Sequence, residues 1–201
     1  MPAGFDSSTW SEQMISLLDD HHLVILSDST SQRSTAGRLL QHRLGMLPET
    51  EVIDIDGTAA LDMASFCQQI MAAARNRLGD SNGNGNAYLQ RLIAHLRMLR
   101  RKTKRRYVIW HDADAMLEQD VATFSVLVNA LLAVAAEHEH TTRSPLLLQR
   151  AVFIGGAKLG AYAEDIHGQF CCWLDDADDA PFWDVLSAVD RPRVIVYRME
   201  G

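Results

Sequence analysis

The chain has 201 residues, 47% hydrophobic and 22% charged, a balance that suits one globular domain over 1–201 with a sizeable core of its own. Its net charge of −7 argues against whole-molecule attraction to nucleic acid or to an anionic membrane surface, because phosphate would repel it. Any basic site must therefore be local.

The three cysteines, Cys67, Cys171 and Cys172, are an odd number without metal-ligand spacing, which suggests neither a disulfide framework nor a zinc site. Reduced thiols fit a cytoplasmic chain. No apolar run approaches the ~20 residues of a membrane span, and the start "MPAGFDSSTW" has neither a basic nor an apolar leader region, so no membrane partner is expected.

In chain order, "TWSEQMISLL" places Thr9 and Glu12 in capping-box spacing ahead of Met14, Ile15, Leu17 and Leu18, which predicts a first helix. Leu23 to Leu26 is a short apolar run read as a strand, followed by a helix over about 34–44 that stops at Gly45. "EVIDIDG" alternates Val52, Ile53 and Ile55 with acids and ends in a turn at Asp56-Gly57, a second strand, with a helix expected from about Ala59 to Leu78. The Gly- and Asn-rich stretch Gly79 to Ala87 reads as a surface loop.

A helix in "YLQRLIAHLRML", a strand in "RRYVIWH", a long apolar helix in "VATFSVLVNALLAVAAEHEH" and a strand in "AVFIGG" follow. "LGAYAEDI", "FCCWL", a helix from Pro181 and a last strand "RVIVYRM" complete the pattern. Strands alternating with helices predict an α/β fold: a mostly parallel sheet of the five-stranded type with helices on both faces, a three-layer sandwich.

"LVILSDSTSQRSTAGRLL" sets a strand, a polar loop and a helix in the order that a phosphate-binding loop requires. On the pattern G-x-x-x-x-G-K-[ST], the key positions fall on Ser27, Gln32, Arg33 and Ser34, with Thr35 as a spare hydroxyl. The length, the cation and the hydroxyl are kept, whereas both glycines are lost. Glycine lets such a backbone reach positive φ and approach phosphate without a Cβ in the way, and Arg33 is bulkier than lysine and hydrates differently. Ser29, Thr30, Ser31, Gln32, Arg33, Ser34 and Thr35 are the candidate nucleotide contacts, and a serine-rich start to an ordinary helix is the plain alternative.

"VIWHDADAML" ends a strand in acids at its carboxyl edge, where α/β sheets hold ligands. Here the chain resembles the AAA+ branch of P-loop ATPases, whose second motif runs through four apolar residues into D-E-A-D and a hydrophobic residue. The resemblance sets His111 in the place of the magnesium-organising aspartate and Asp112 in that of the water-activating glutamate; Ala113, Asp114 and Met116 continue the motif. A shift of one residue makes Asp112 the metal-organising acid and Ala113 the missing base. Ser34, Asp112 and Asp114 are the magnesium ligands it implies if a magnesium nucleotide binds, and Asp112 the catalytic group.

In "AVFIGGAKLGAYAEDIHGQFCCWL" the resemblance sets Gly155 and Gly156 where such ATPases carry a polar sensor, and Gln169 before Phe170 where an arginine finger is expected. About thirty residues after "FCCWL" are fewer than the family's usual helical lid needs. The likeness, over roughly 23–174, implies a P-loop NTPase-like domain with altered motifs. Several catalytic groups missing together, each worth ~10²-fold or more, make a binding or regulatory module the expected function, working through protein partners without a cofactor. ATP or ADP with magnesium, in a weak NTPase, is the alternative, and ring-forming relatives leave a homo-oligomer open.

"RMLRRKTKRRY" gathers Arg97, Arg100, Arg101, Lys102, Lys104, Arg105 and Arg106, a run that suits an acidic partner or, less readily, nucleic acid, because no aromatic residues interleave with the charges. Cations also suit the end of a helix. Glu137 to His140 read as an exposed helix end rather than a metal site, since i, i+2 residues on a helix diverge. His21 and His22 have no evident partner in the sequence.

Overall fold

A computed structural model describes residues 7–28, 33–73, 85–98, 102–140, 147–163 and 193–199. Five strands, β1 (Leu23–Asp28), β2 (Thr50–Asp56), β3 (Arg105–His111), β4 (Leu148–Gly155) and β5 (Val194–Met199), form one sheet in the order β2-β3-β4-β1-β5. Every ladder is parallel. Helix α1 (Ser7–Asp20) precedes β1; parallel neighbours need crossover connections, and α2 (Arg33–Gly45), α3 (Met63–Ala73), α4 (Gly85–Arg97), α5 (Asp114–Gln119) and α6 (Val121–His140) lie in them. A further helix, α7, covers 157–163.

Side chains alternate across the sheet with the period of two that strands impose. Leu23, Ile25, Ile53, Ile55, Val108, Trp110, Ala151 and Phe153 point to one face, where they meet Phe66 and Ile70 of α3, Leu92 and Leu96 of α4 and Phe124, Leu127 and Leu131 of α6. Val24, Leu26, Tyr107, Ile109, Val152 and Ile154 point to the other, against Trp10, Met14 and Leu18 of α1 and Leu40 and Leu44 of α2. The expected α/β sandwich, with helices on both faces of a five-stranded parallel sheet, is thus the observed architecture. Trp110 centres the larger core, its ring 4.5 Å from Phe66 and 5.1 Å from Phe124 between centroids.

Several boundaries move, each for a local reason. Thr9 lies inside α1, which begins at Ser7, so it is not the cap. Helix α3 begins at Met63 rather than near Ala59, because Asp56 accepts from the N–H of Ala59 and Ala60 in a turn and Asp62 is the cap. Asp62 Oδ1 accepts from Ser65 N–H at 2.7 Å while Ser65 Oγ accepts from Asp62 N–H at 3.1 Å, a reciprocal capping box. The Ser65 N–H first, and then the Ser65 hydroxyl, which donates to the same Oδ1 at 2.7 Å, hold the Asp62 carboxyl below its ordinary range. Helix α4 takes in Gly85 to Ala87, which the sequence assigns to a loop.

Helix α6 corrects the expectation about apolar runs. By length and composition alone its Val121–His138 window could cross a membrane, with a mean hydropathy of 1.6. It is apolar nearly all round because α4, α5 and β4 pack on it. Two expectations about histidines also change. His138 is buried, its Nε2 3.2 Å from Leu96 O, and Glu137 pairs with Arg97 at 2.8 Å, so this end of α6 is not simply a solvated tail. His22 is buried with its Nδ1 accepting from Arg193 N–H at 2.9 Å.

Candidate functional site

The carboxyl ends of β2, β3 and β4 and the amino end of α2 meet at one edge of the sheet. Arg33, the first residue of α2, extends its guanidinium to the two acids that follow β3: Nη1 lies 3.9 Å from Asp112 Oδ1 and 3.7 Å from Asp114 Oδ2. At these separations the contacts are loose ion pairs rather than a bidentate fork. Asp112 holds a left-handed backbone, φ 45°, a conformation that costs a non-glycine residue free energy and collects at functional turns.

Asp114 opens α5 and points back at the sheet. Its Oδ2 accepts from Gly156 N–H at 3.2 Å, and its Oδ1 is buried without a hydrogen-bond partner among the described residues. Gly155 and Gly156 let this happen. A Cβ at Gly155 would fall 2.7 Å from Asp114 Oδ1, and one at Gly156 would lie 3.2 Å from Asp114 Oδ2 and 3.3 Å from Arg33 Nη1. Ser27, at the end of β1, donates its hydroxyl to Gly156 O at 3.2 Å.

On the β2 side, Asp54 Oδ1 lies 2.6 Å from His111 Nε2. Gly57 N–H donates to His111 O at 2.8 Å, which ties the turn after β2 to the end of β3. Gly57 is required there, because a Cβ would collide with the carbonyl oxygens of His111 and Asp112. Only the register of β2 on β3, with Asp54 opposite Ile109 and Asp56 opposite His111, brings the Asp54 carboxylate to the His111 ring.

Of the residues the sequence nominates, Arg33, Asp112 and Asp114 come together. Ser34 and Thr35 are exposed, and the Ser34 hydroxyl lies 3.5 Å from Arg38 Nη2, its partner one helical turn along. Ser29, Thr30, Ser31 and Gln32 lie outside the described residues, as do Gln169, Phe170, Cys171, Cys172 and the helix expected from Pro181. Among the described residues no group of three or more His, Cys, Asp or Glu side chains could hold a metal ion.

The basic run divides. Arg106 cannot serve as a partner-binding residue: its side chain is fully buried, Nε donating to Glu51 Oε2 at 2.8 Å, Nη1 to Leu96 O at 2.6 Å and Nη2 to Met98 O at 3.0 Å. It caps the carboxyl end of α4 from inside the protein, which the sequence disguises as one more surface charge. Lys104 pairs with Glu49 at 2.6 Å and Arg97 with Glu137, while Lys102 is exposed and Arg105 half-buried. Arg100 and Arg101 lie outside the described residues.

No protein-family model matches the sequence, and no curated protein matches it either. Solved structures do. Cdc6p from Pyrobaculum aerophilum is similar over 98% of this chain and 47% of its own, with a TM-score of 0.54 and 14% identity. The Aeropyrum pernix ORC2 protein in its ADP form matches over 96% of this chain and 47% of its own, with a TM-score of 0.57 and 11% identity. This chain shares the parallel α/β fold of these proteins. Drosophila ORC bound to GC-rich DNA and Cdc6 gives the same result over 96% of this chain and 54% of that chain, with a TM-score of 0.55 and 12% identity. The chain therefore spans about half the length of these neighbours, and identities this low carry the fold alone.

Proposed function

We propose that this AAA+-like domain is catalytically degenerate and acts as a binding or regulatory module through protein partners. The observation that carries the reading is the position of the Arg33 guanidinium, which faces Asp112 and Asp114 across the sheet edge. In an active site of this kind the cation faces phosphate and the acids face hydrated magnesium. Here the one cation stands loosely opposite two acids of its own chain.

The residues fit a magnesium nucleotide poorly. Magnesium prefers oxygen ligands, yet the position of the metal-organising acid holds His111, whose Nε2 is engaged by Asp54. The hydroxyl in the metal-ligand position, Ser34, is exposed beside Arg38. Gly155 and Gly156 offer no side chain to a γ-phosphate, and a polar side chain at either position would crowd Asp114. A protein partner suits the reading better than nucleic acid, because Arg106 is buried and Arg97 and Lys104 are already paired with carboxylates. The Drosophila neighbour is recorded with both DNA and Cdc6, so the fold itself does not choose between the two.

Phosphate release from magnesium-ATP tests the catalytic half of this reading. The purified chain and its Asp112→Asn variant are expected to release phosphate at the same background rate. Turnover by the unmodified chain, lost in Asp112→Asn, would establish a weak NTPase instead.

A further inference from the structure

We infer that Gly37 and Asp54 are positioning residues that seat the His111 imidazole, through which β2, β3 and α2 are joined at this edge of the sheet. The inference deepens the degenerate reading above and rests on it for its functional meaning. The geometry stands independently.

Gly37 lies in the first half of α2, buried, where glycine is a poor choice: it costs a helix interior roughly 1 kcal/mol relative to alanine. A Cβ there would stand 2.4 Å from His111 Cε1, 2.6 Å from His111 Nδ1 and 2.9 Å from Ile154 Cδ1. The imidazole therefore lies directly on the bare backbone of α2. It cannot swing clear without cost, because Nε2 is held 2.6 Å from Asp54 Oδ1 and the main chain of His111 is tied to Gly57. Three elements are joined through one ring: β2 by the carboxylate, β3 by the side chain's own backbone, and α2 by the glycine.

In the register that sets His111 in the place of the motif's acid, the ring has a structural role of its own at that position. A carboxylate is too short to fill the space between Asp54 and Gly37, and it would face the Asp54 carboxylate directly. The ring fills that space, with its Nε2 2.6 Å from Asp54 Oδ1. The substitution at position 111 and the glycine at position 37 thus form a matched pair.

Helix propensity and sterics oppose each other at Gly37, so the test turns on a change of sign. Gly37→Ala in the otherwise unmodified chain is expected to lower the thermal midpoint by a few °C, on the order of that for overpacking one methyl group, and to shift the His111 Hε1 resonance. In a His111→Ala background the same substitution is expected to leave the midpoint unchanged or raise it by ~2–4 °C, because the propensity gain is then opposed only by the approach to the terminal methyl of Ile154, which has the space vacated by the imidazole beside it. Equal midpoint changes with and without His111 would overturn the inference, as would an unmoved His111 resonance. If Gly37→Ala alone fails to fold, recovery of folding in the double variant supports the seat and its absence refutes it. Phosphate release from these same proteins reports on the degenerate reading separately, so the two can fail apart.

Discussion

Arg106 and Glu51 form an ion pair of 2.8 Å in which the arginine side chain is fully buried and the glutamate 13% exposed. Such a pair is weak evidence of net stabilisation, since desolvation offsets much of the attraction. Removing one partner is another matter. Arg106→Ala takes the guanidinium from the Glu51 carboxylate and one donor each from the carbonyls of Leu96 and Met98, and should cost about 3–5 kcal/mol in urea unfolding. A loss below ~1 kcal/mol, as for an exposed pair, would return Arg106 to the surface.

The same corner gives a pH dependence. Burial pushes the His138 imidazole below its ordinary value of 6.5, outweighing its contact with Leu96 O. The unfolded chain then binds a proton at higher pH than the folded one, so stability rises as pH rises toward 6.5 and is lost as pH falls below it. His138→Gln should flatten the part of this slope that belongs to the ring. Denaturation midpoints measured between about pH 5 and pH 7 check it, and parallel slopes in the two proteins would assign the dependence to other groups.

Cys67 is buried among the apolar side chains of α3, and burial, aided by the negative charge of Asp62, pushes its thiol up to about 12. Thiolate is the reactive form. In a chain carrying Cys171→Ser and Cys172→Ser, a disulfide reagent at mild alkaline pH should leave Cys67 unmodified until denaturant opens the fold. Rapid labelling of the native protein would contradict its placement in the core.

Much of the fold is legible in the sequence because burial leaves a periodic trace. The apolar runs at Leu23, Val108 and Val152 become neighbouring strands, and the alternation in "EVIDID" gives the β2 strand its buried Ile53 and Ile55. The start of α3 is less visible. Asp62 and Ser65 carry capping chemistry, but so do Thr58 and Asp56 a few residues earlier, and the turn between them decides the boundary.

The site is half legible. Motif spacing brings Arg33, Asp112 and Asp114 forward as a set, and they do meet. The His111–Asp54 pair depends on strand register, and the fit of Gly37 under the imidazole depends on how α2 crosses β3, neither of which a linear pattern encodes. Arg106 misleads for a related reason. Within a run of cations nothing marks the one that points inward.

In the function proposed above, the Arg33 cation answers the acids of its own chain rather than a nucleotide. Calorimetric titration of the purified protein with ATP and with ADP, with and without magnesium, tests it most directly. The account predicts no saturable heat up to millimolar nucleotide. Micromolar, magnesium-dependent binding that Arg33→Ala abolishes would contradict it and make this edge of the sheet a working nucleotide site.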